Sequence, residues 1–153
     1  MSKLKIFVAS SSAAKRQAKM FIEHFDNDYI EFLPWWEQFT PGRTLLDELN
    51  RIRNEINAAL LFITPEASTT NSKGNEIVIP NMNVLFEFGF FYSFLGKDKV
   101  AIIKYSQVDL PSDLSGYIHI TGSKFFKHNN GCPIGKKTEQ DFNKWFTAMI
   151  SNV

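Results

Sequence analysis

The sequence has no second cysteine with which to close an internal disulfide: Cys132 is its only one among 153 residues. A lone thiol suits a reducing compartment, and stability must then come from packing. An excess of charge is missing as well. Lys plus Arg number 17 against 16 Asp plus Glu, a formal net charge of +1. Such balance argues against a chain that lives by electrostatic attachment to nucleic acid or an anionic membrane. The one basic concentration, "KFFKHNNGCPIGKK" at 124–137, reads as a solvated loop. Within it His128 and Cys132 have a spacing that a metal could use, but His24 and His119 stand alone in sequence. No metal site is therefore expected. Long hydrophobic runs are absent too. The apolar stretch from Val84 to Leu95 is interrupted by Glu87 and Gly89 and falls short of the ~20 residues that span a bilayer. The N-terminus, "MSKLKIFVAS", enters a strand pattern at once, without the apolar core of a signal peptide. The expectation is a cytoplasmic globular chain, 1–153 as a single domain, with neither nucleic acid nor membrane as partner.

What the sequence does contain is an alternation of strand and helix patterns. "LKIFVAS" is a β-branched and aromatic run, followed by a helical spacing through Ala14, Ala18, Phe21, Ile22 and Phe25, with Ser12 as candidate N-cap. "YIEFLPWW" reads as a second strand stopped by Pro34. An amphipathic helix then runs through Leu45, Leu49, Ile52 and Ile56. "LLFITP" is a third strand, apolar enough to be buried on both faces. "EASTTNSKGNEIVIP" is read as a polar loop. A helix from about Asn81 to Leu95, a strand "KVAIIKY", a loop "LPSDLSG", a short strand "YIHIT" and a closing helix "TEQDFNKWFTAMIS" complete the chain. The pattern predicts an α/β fold: a flavodoxin-like parallel sheet of five strands with helices on both faces. Ligands in such sheets sit beyond the carboxyl ends of the strands. That rule selects the serine turn, the "PWWEQFTPG" segment, "LPSDL" and the start of the Asn81 helix.

One residue in that last helix is out of place. Between Glu76 and Lys97 the only Asp, Glu, Lys, Arg or His is Glu87, set among Val, Leu, Phe and Tyr. A carboxylate there must stay wet, find a partner or change its proton affinity. It could serve the helix macrodipole or a reaction. A capping box does not explain it, because three residues earlier stands Val84. Asn83 lies one turn before it on the same stripe. Ser10, Ser11 and Ser12 form a small-residue turn that could cradle a phosphate or simply cap a helix. No GxGxxG or GxxxxGK[ST] accompanies them, and no Ser-His-Asp or Cys-His arrangement stands out. Trp35, Trp36 and Phe39 could stack on a nucleobase or plug the sheet edge. Asp113 could bind sugar hydroxyls or form an Asx turn.

Taken together, "KIFVASSS", "WWEQFTPGRTLLDEL", "ALLFITPEA", "NMNVLFEFGFF" and "LPSDLSG" resemble the bacterial TIR-like (Toll/interleukin receptor-like) family, and within it the TIR domains fused to bacterial STING sensors. The resemblance implies a TIR fold and an NAD glycohydrolase of anti-phage defence, with Glu87 as the catalytic glutamate. It places the serine turn and Asp113 at the NAD+ pocket. With Trp36, Phe39 and Asn83 these make up the expected substrate-binding set. NAD+ is then substrate, and no separate cofactor is expected. Activation through TIR–TIR self-association, driven by a fused or associated cyclic-dinucleotide sensor, is implied as well, the chain being an effector domain of a longer protein. Three positions depart from the family pattern: Ala13, where an acidic residue is frequent; Asn57, in place of Asp; and Asn81 or Met82, in place of a basic residue. Two rivals stay open, a nucleoside deoxyribosyltransferase-like enzyme that uses a similar fold and a glutamate, and a non-catalytic TIR assembly module.

Overall fold

A computed structural model describes residues 2–114, 116–117, 119–123 and 133–152; His128 and Cys132 lie outside the described residues. The elements in chain order are β1 (Leu4–Ala9), a 3-10 turn (Ser12–Ala14), α1 (Lys15–Phe25), β2 (Ile30–Pro34), α2 (Trp35–Gln38) and α3 (Leu45–Arg53). Then come β3 (Ala58–Ile63), β4 (Pro65–Thr70), β5 (Glu76–Pro80), α4 (Met82–Leu95), β6 (Val100–Lys104), β7 (Ile120–Thr121) and α5 (Lys136–Ser151). Five strands form one parallel sheet in the order β2-β1-β3-β6-β7. This is the expected flavodoxin-like arrangement.

The period of two along each strand divides the core into two layers. Ile6 and Val8 of β1, with Leu60 and Phe62 of β3, face Ala18, Phe21 and Phe25 of α1 and Phe142 and Met149 of α5. Phe7 and Ala9, with Leu61 and Ile63, face Leu49 and Ile52 of α3 and Val84, Phe88 and Phe91 of α4. All six residues of β3 are buried, as a strand covered on both faces requires. Pro34 ends β2, an edge strand, where a missing N–H costs no ladder bond.

Three local expectations need correction. The segment read as a polar loop folds into an antiparallel hairpin of β4 and β5. Asn71 closes its turn, its Oδ1 accepting from the main-chain N–H groups of Lys73 and Asn75 at 3.0 and 2.9 Å. Gly74 supplies the left-handed conformation, φ +80°, that other residues resist. The outer edge of β5 is pinned by Asp109: Val78 N–H donates to its Oδ2 at 2.8 Å, and its own N–H donates to Val78 O at 2.8 Å. The serine cap is Ser11 and not Ser12, because a 3-10 turn precedes α1 and the Ser11 Oγ accepts from Ala14 N–H at 3.2 Å. Finally, α3 stops at Arg53, so buried Ile56 sits beyond it. Directly afterwards Asn57 accepts Lys5 N–H at 2.8 Å through Oδ1 and so aligns the start of β3 against β1.

Candidate functional site

The polar groups at the carboxyl ends of the strands converge on a cavity of about 170 Å³. Its floor and walls come from three crossovers: Ser10, Ser11 and Ser12 after β1, Trp35 and Phe39 after β2, and Asn81, Asn83, Val84 and Glu87 at the start of α4. The serine turn is short because small residues let the chain pass from strand to 3-10 turn without clash. Trp35 leans over it, its indole N–H donating to Ser10 Oγ at 2.9 Å, while Ser10 Oγ donates to Ser11 O at 2.9 Å. Phe39 is held by ring contacts to Phe7 and Trp35, with centroids 6.4 and 6.3 Å apart.

The α4 side is set by Asn81. As N-cap it accepts from Asn83 N–H at 2.9 Å and Val84 N–H at 3.3 Å, satisfying donors that would otherwise face the cavity unpaired. One and a half turns later the helix brings Glu87 to the cavity wall. Core residues Val84, Phe88 and Phe91 bury the adjoining stripe. Glu87 is only 7% exposed, and among the described residues no hydrogen bond or ion pair meets its carboxyl group. Desolvation therefore pushes its pKa from the ordinary 4.5 up to about 7. A carboxyl in this state is ready to ionise when a cation enters, since a positive charge replaces the lost hydration.

The loop that carries the aromatics is tied down from α3. Buried Glu48 accepts from Arg51 Nη2 at 2.9 Å, and the same nitrogen donates to Gln38 O at 2.7 Å. Arg51 holds the Glu48 carboxyl below the usual carboxylate range. Arg43, 3.6 Å from Glu48 Oε1, adds a second cation on the loop side.

Of the expected site residues, Glu87, Ser10, Ser11, Ser12, Phe39 and Asn83 are brought together. Trp36 is not: it packs toward the opposite face of the sheet, and Lys15 and Lys19 place their Nζ atoms 5.4 and 5.8 Å from its ring centroid. Adjacent residues on a helical turn point about 100° apart, so only one tryptophan of the pair reaches the cavity, and it is Trp35. Asp113 is exposed on a 3-10 turn (Ser112–Leu114) and does not line the cavity. The reading of the sequence offered Trp35 for stacking but left it out of the expected set in favour of Trp36, and it missed Leu45, Asn81 and Val84 as lining residues. Asn81 carried a signal, an Asn directly before an apolar helix, which marks an N-cap. Among the described residues no group of three His, Cys, Asp or Glu side chains could hold a metal ion, and no helix is long and apolar enough to cross a membrane.

Comparison with known proteins identifies a family for the chain. Residues 5–124 match the family described as CAP12/Pycsar effector protein, TIR domain. CD-NTase-associated protein 12 of Sphingobacterium faecium is 31% identical over 127 residues, covering 83% of this chain and 38% of that protein. Pycsar effector protein BcPycTIR of Burkholderia cepacia is 31% identical over 117 residues, 74% of this chain and 38% of its own length. Protein tirC of Dictyostelium discoideum is 26% identical over 141 residues, 76% of this chain and 70% of that protein. The chain thus spans well under half the length of the two bacterial relatives. With residues 5–124 matched by that family and two relatives 31% identical, the chain belongs to the CAP12/Pycsar effector TIR domains.

Proposed function

We propose that this chain cleaves the nicotinamide–ribose bond of NAD+, releasing nicotinamide and ADP-ribose. The observation that carries the reading is Glu87, a single carboxyl that is 7% exposed, lacks a partner among the described residues and faces a small cavity at the strand ends. The pyridinium of NAD+ is cationic, so its arrival favours the ionised carboxylate that burial disfavours. As the C1′–N bond breaks, its electron pair stays on the ring nitrogen and nicotinamide leaves neutral. Positive charge moves to the ribose, where the Glu87 carboxylate stabilises or captures it. Water adds at C1′ and releases one proton. The leaving group needs no protonation, so one carboxylate serves where ordinary glycosidases use two. Val84, Phe39 and Trp35 line the same space and limit hydration of the carboxylate, which strengthens its action on the ribose charge.

Relatives named as a CD-NTase-associated protein and a Pycsar effector support a role as an effector. In this reading the domain is the NAD-consuming effector of an anti-phage system. A cyclic-nucleotide sensor, STING-like in fusion or separate, assembles copies of it through TIR–TIR contacts and thereby turns it on. The test is to incubate the chain with NAD+ over a range of protein concentrations and follow nicotinamide by chromatography. Release that increases in specific activity with concentration, and vanishes in Glu87→Gln, is expected. Exchange of bases between nucleosides would point to a deoxyribosyltransferase instead. Equal turnover by the Glu87→Gln variant would remove the basis of the mechanism.

A further inference from the structure

The cavity at Glu87 is too small for the substrate proposed above. Sites for molecules of that size are commonly about 300–1,000 Å³, against about 170 Å³ here. A ring and its sugar fill such a space, and the remainder of a dinucleotide must leave it. Ser12 lies on both the rim of the cavity and the wall of a second, open groove of about 330 Å³. That groove is lined by Ser12, Ala13, Lys15, Arg16 and Lys19, and among the described residues lining either space only these three carry positive charge. Lys15 and Lys19 are held over the ring of Trp36, 5.4 and 5.8 Å from its centroid. The tryptophan thus orders two flexible cations at one place, at a modest gain for each. Their position beside the first turn of α1 adds the positive end of the helix dipole.

We propose that this groove is a diphosphate subsite: Lys15 and Lys19, ordered on Trp36 and joined by Arg16, hold the two phosphates of the dinucleotide whose ribose lies against Glu87. Ser12 is the threshold between the two subsites. The inference rests on the reading of the Glu87 cavity as an NAD+ site and deepens it by assigning the part of the substrate that the cavity cannot hold. It also explains why Trp36 turns away from the cavity. Its contribution is to place cations, not to stack on the reacting end. Contacts to this remote part of the molecule are the same in the ground state and the transition state, so they hold the substrate without speeding the bond cleavage itself.

The test is kinetic and spectroscopic. In the assembled, active protein the double variant Lys15→Gln/Lys19→Gln should raise KM for NAD+ about tenfold with kcat unchanged, as the loss of two exposed charge contacts implies. Salt should raise KM for the unaltered protein more steeply than for the variant. Cleavage of nicotinamide riboside, which has no phosphate, should be the same in both. Independently, titration with inorganic pyrophosphate followed by amide chemical shifts should perturb 12–19 in the unaltered chain and leave the double variant unmoved. If NAD+ is cleaved and the double variant keeps its KM and salt dependence, the groove is not the subsite while the cleavage reading stands. If NAD+ is not cleaved but pyrophosphate binds at Lys15 and Lys19, the groove is supported and the cleavage reading falls. If pyrophosphate shifts none of these residues, the subsite is refuted.

Discussion

Replacing Glu87 by Gln should change the pH dependence of stability more distinctly than stability itself. In the folded chain burial holds this carboxyl at about 7 instead of 4.5. The unfolded chain releases the proton first, so between those two values the folded state binds more protons. Stability therefore falls as pH rises through that window, and the loss is complete above it. At about 1.4 kcal/mol per tenfold in proton affinity, the full cost is about 3 kcal/mol. Gln cannot ionise and escapes this cost. Its amide carries a burial penalty of its own, but that penalty is the same at every pH. The difference between variant and wild type should consequently grow by about 2.5 kcal/mol in favour of Gln from pH 5 to pH 8. For a chain of this size about 2–4 °C accompanies each kcal/mol, so the gap in Tm should widen by roughly 5–10 °C. Scanning calorimetry at pH 5, 6, 7 and 8, with urea midpoints at the two extremes, measures it. Parallel curves with a constant offset would show that water or a partner group keeps the carboxyl at its ordinary affinity. The account of Glu87 as a dry, unpaired acid would then be wrong.

Other consequences follow from the same geometry. If the ionised carboxylate is the reactive form, kcat/KM for NAD+ should rise about tenfold per pH unit below 7 and level off above it; a flat profile from pH 6 to 8 would refute that assignment. Asn81→Ala removes the acceptor for Asn83 and Val84 N–H and should cost about 1 kcal/mol, read as a lower urea midpoint, with Asn81→Asp restoring most of it. Glu48→Gln should be destabilising with the opposite pH sign to Glu87. The Glu48 carboxyl is held low by Arg51, so its contribution is present at neutral pH and disappears as pH falls through the carboxylate range. Urea midpoints at pH 7 and pH 4 that differ from wild type by the same amount would contradict that linkage.

The sequence by itself determined the two layers of the core and the position of the buried acid. Alternating residues such as Ile6, Phe7, Val8 and Ala9 leave a strand no choice but to bury both faces, and the strand–helix alternation then leads to a parallel sheet. Glu87 was legible because an acid alone in an apolar helix conflicts with its surroundings, and the conflict is local. The hairpin of β4 and β5 was not, since Ser and Thr residues show no hydrophobic period and its edge is secured by Asp109, 31 residues after Val78. The tertiary structure alone decided which tryptophan of the pair reaches the cavity. Both lie on one short helical turn, and the choice between them depends on where the sheet and α1 stand: Ser10 Oγ accepts the Trp35 N–H, and Lys15 and Lys19 cover Trp36. It likewise left Asp113 on an exposed turn outside the cavity. A side chain's direction at a strand end depends on neighbours far away in sequence, and local pattern holds no record of them.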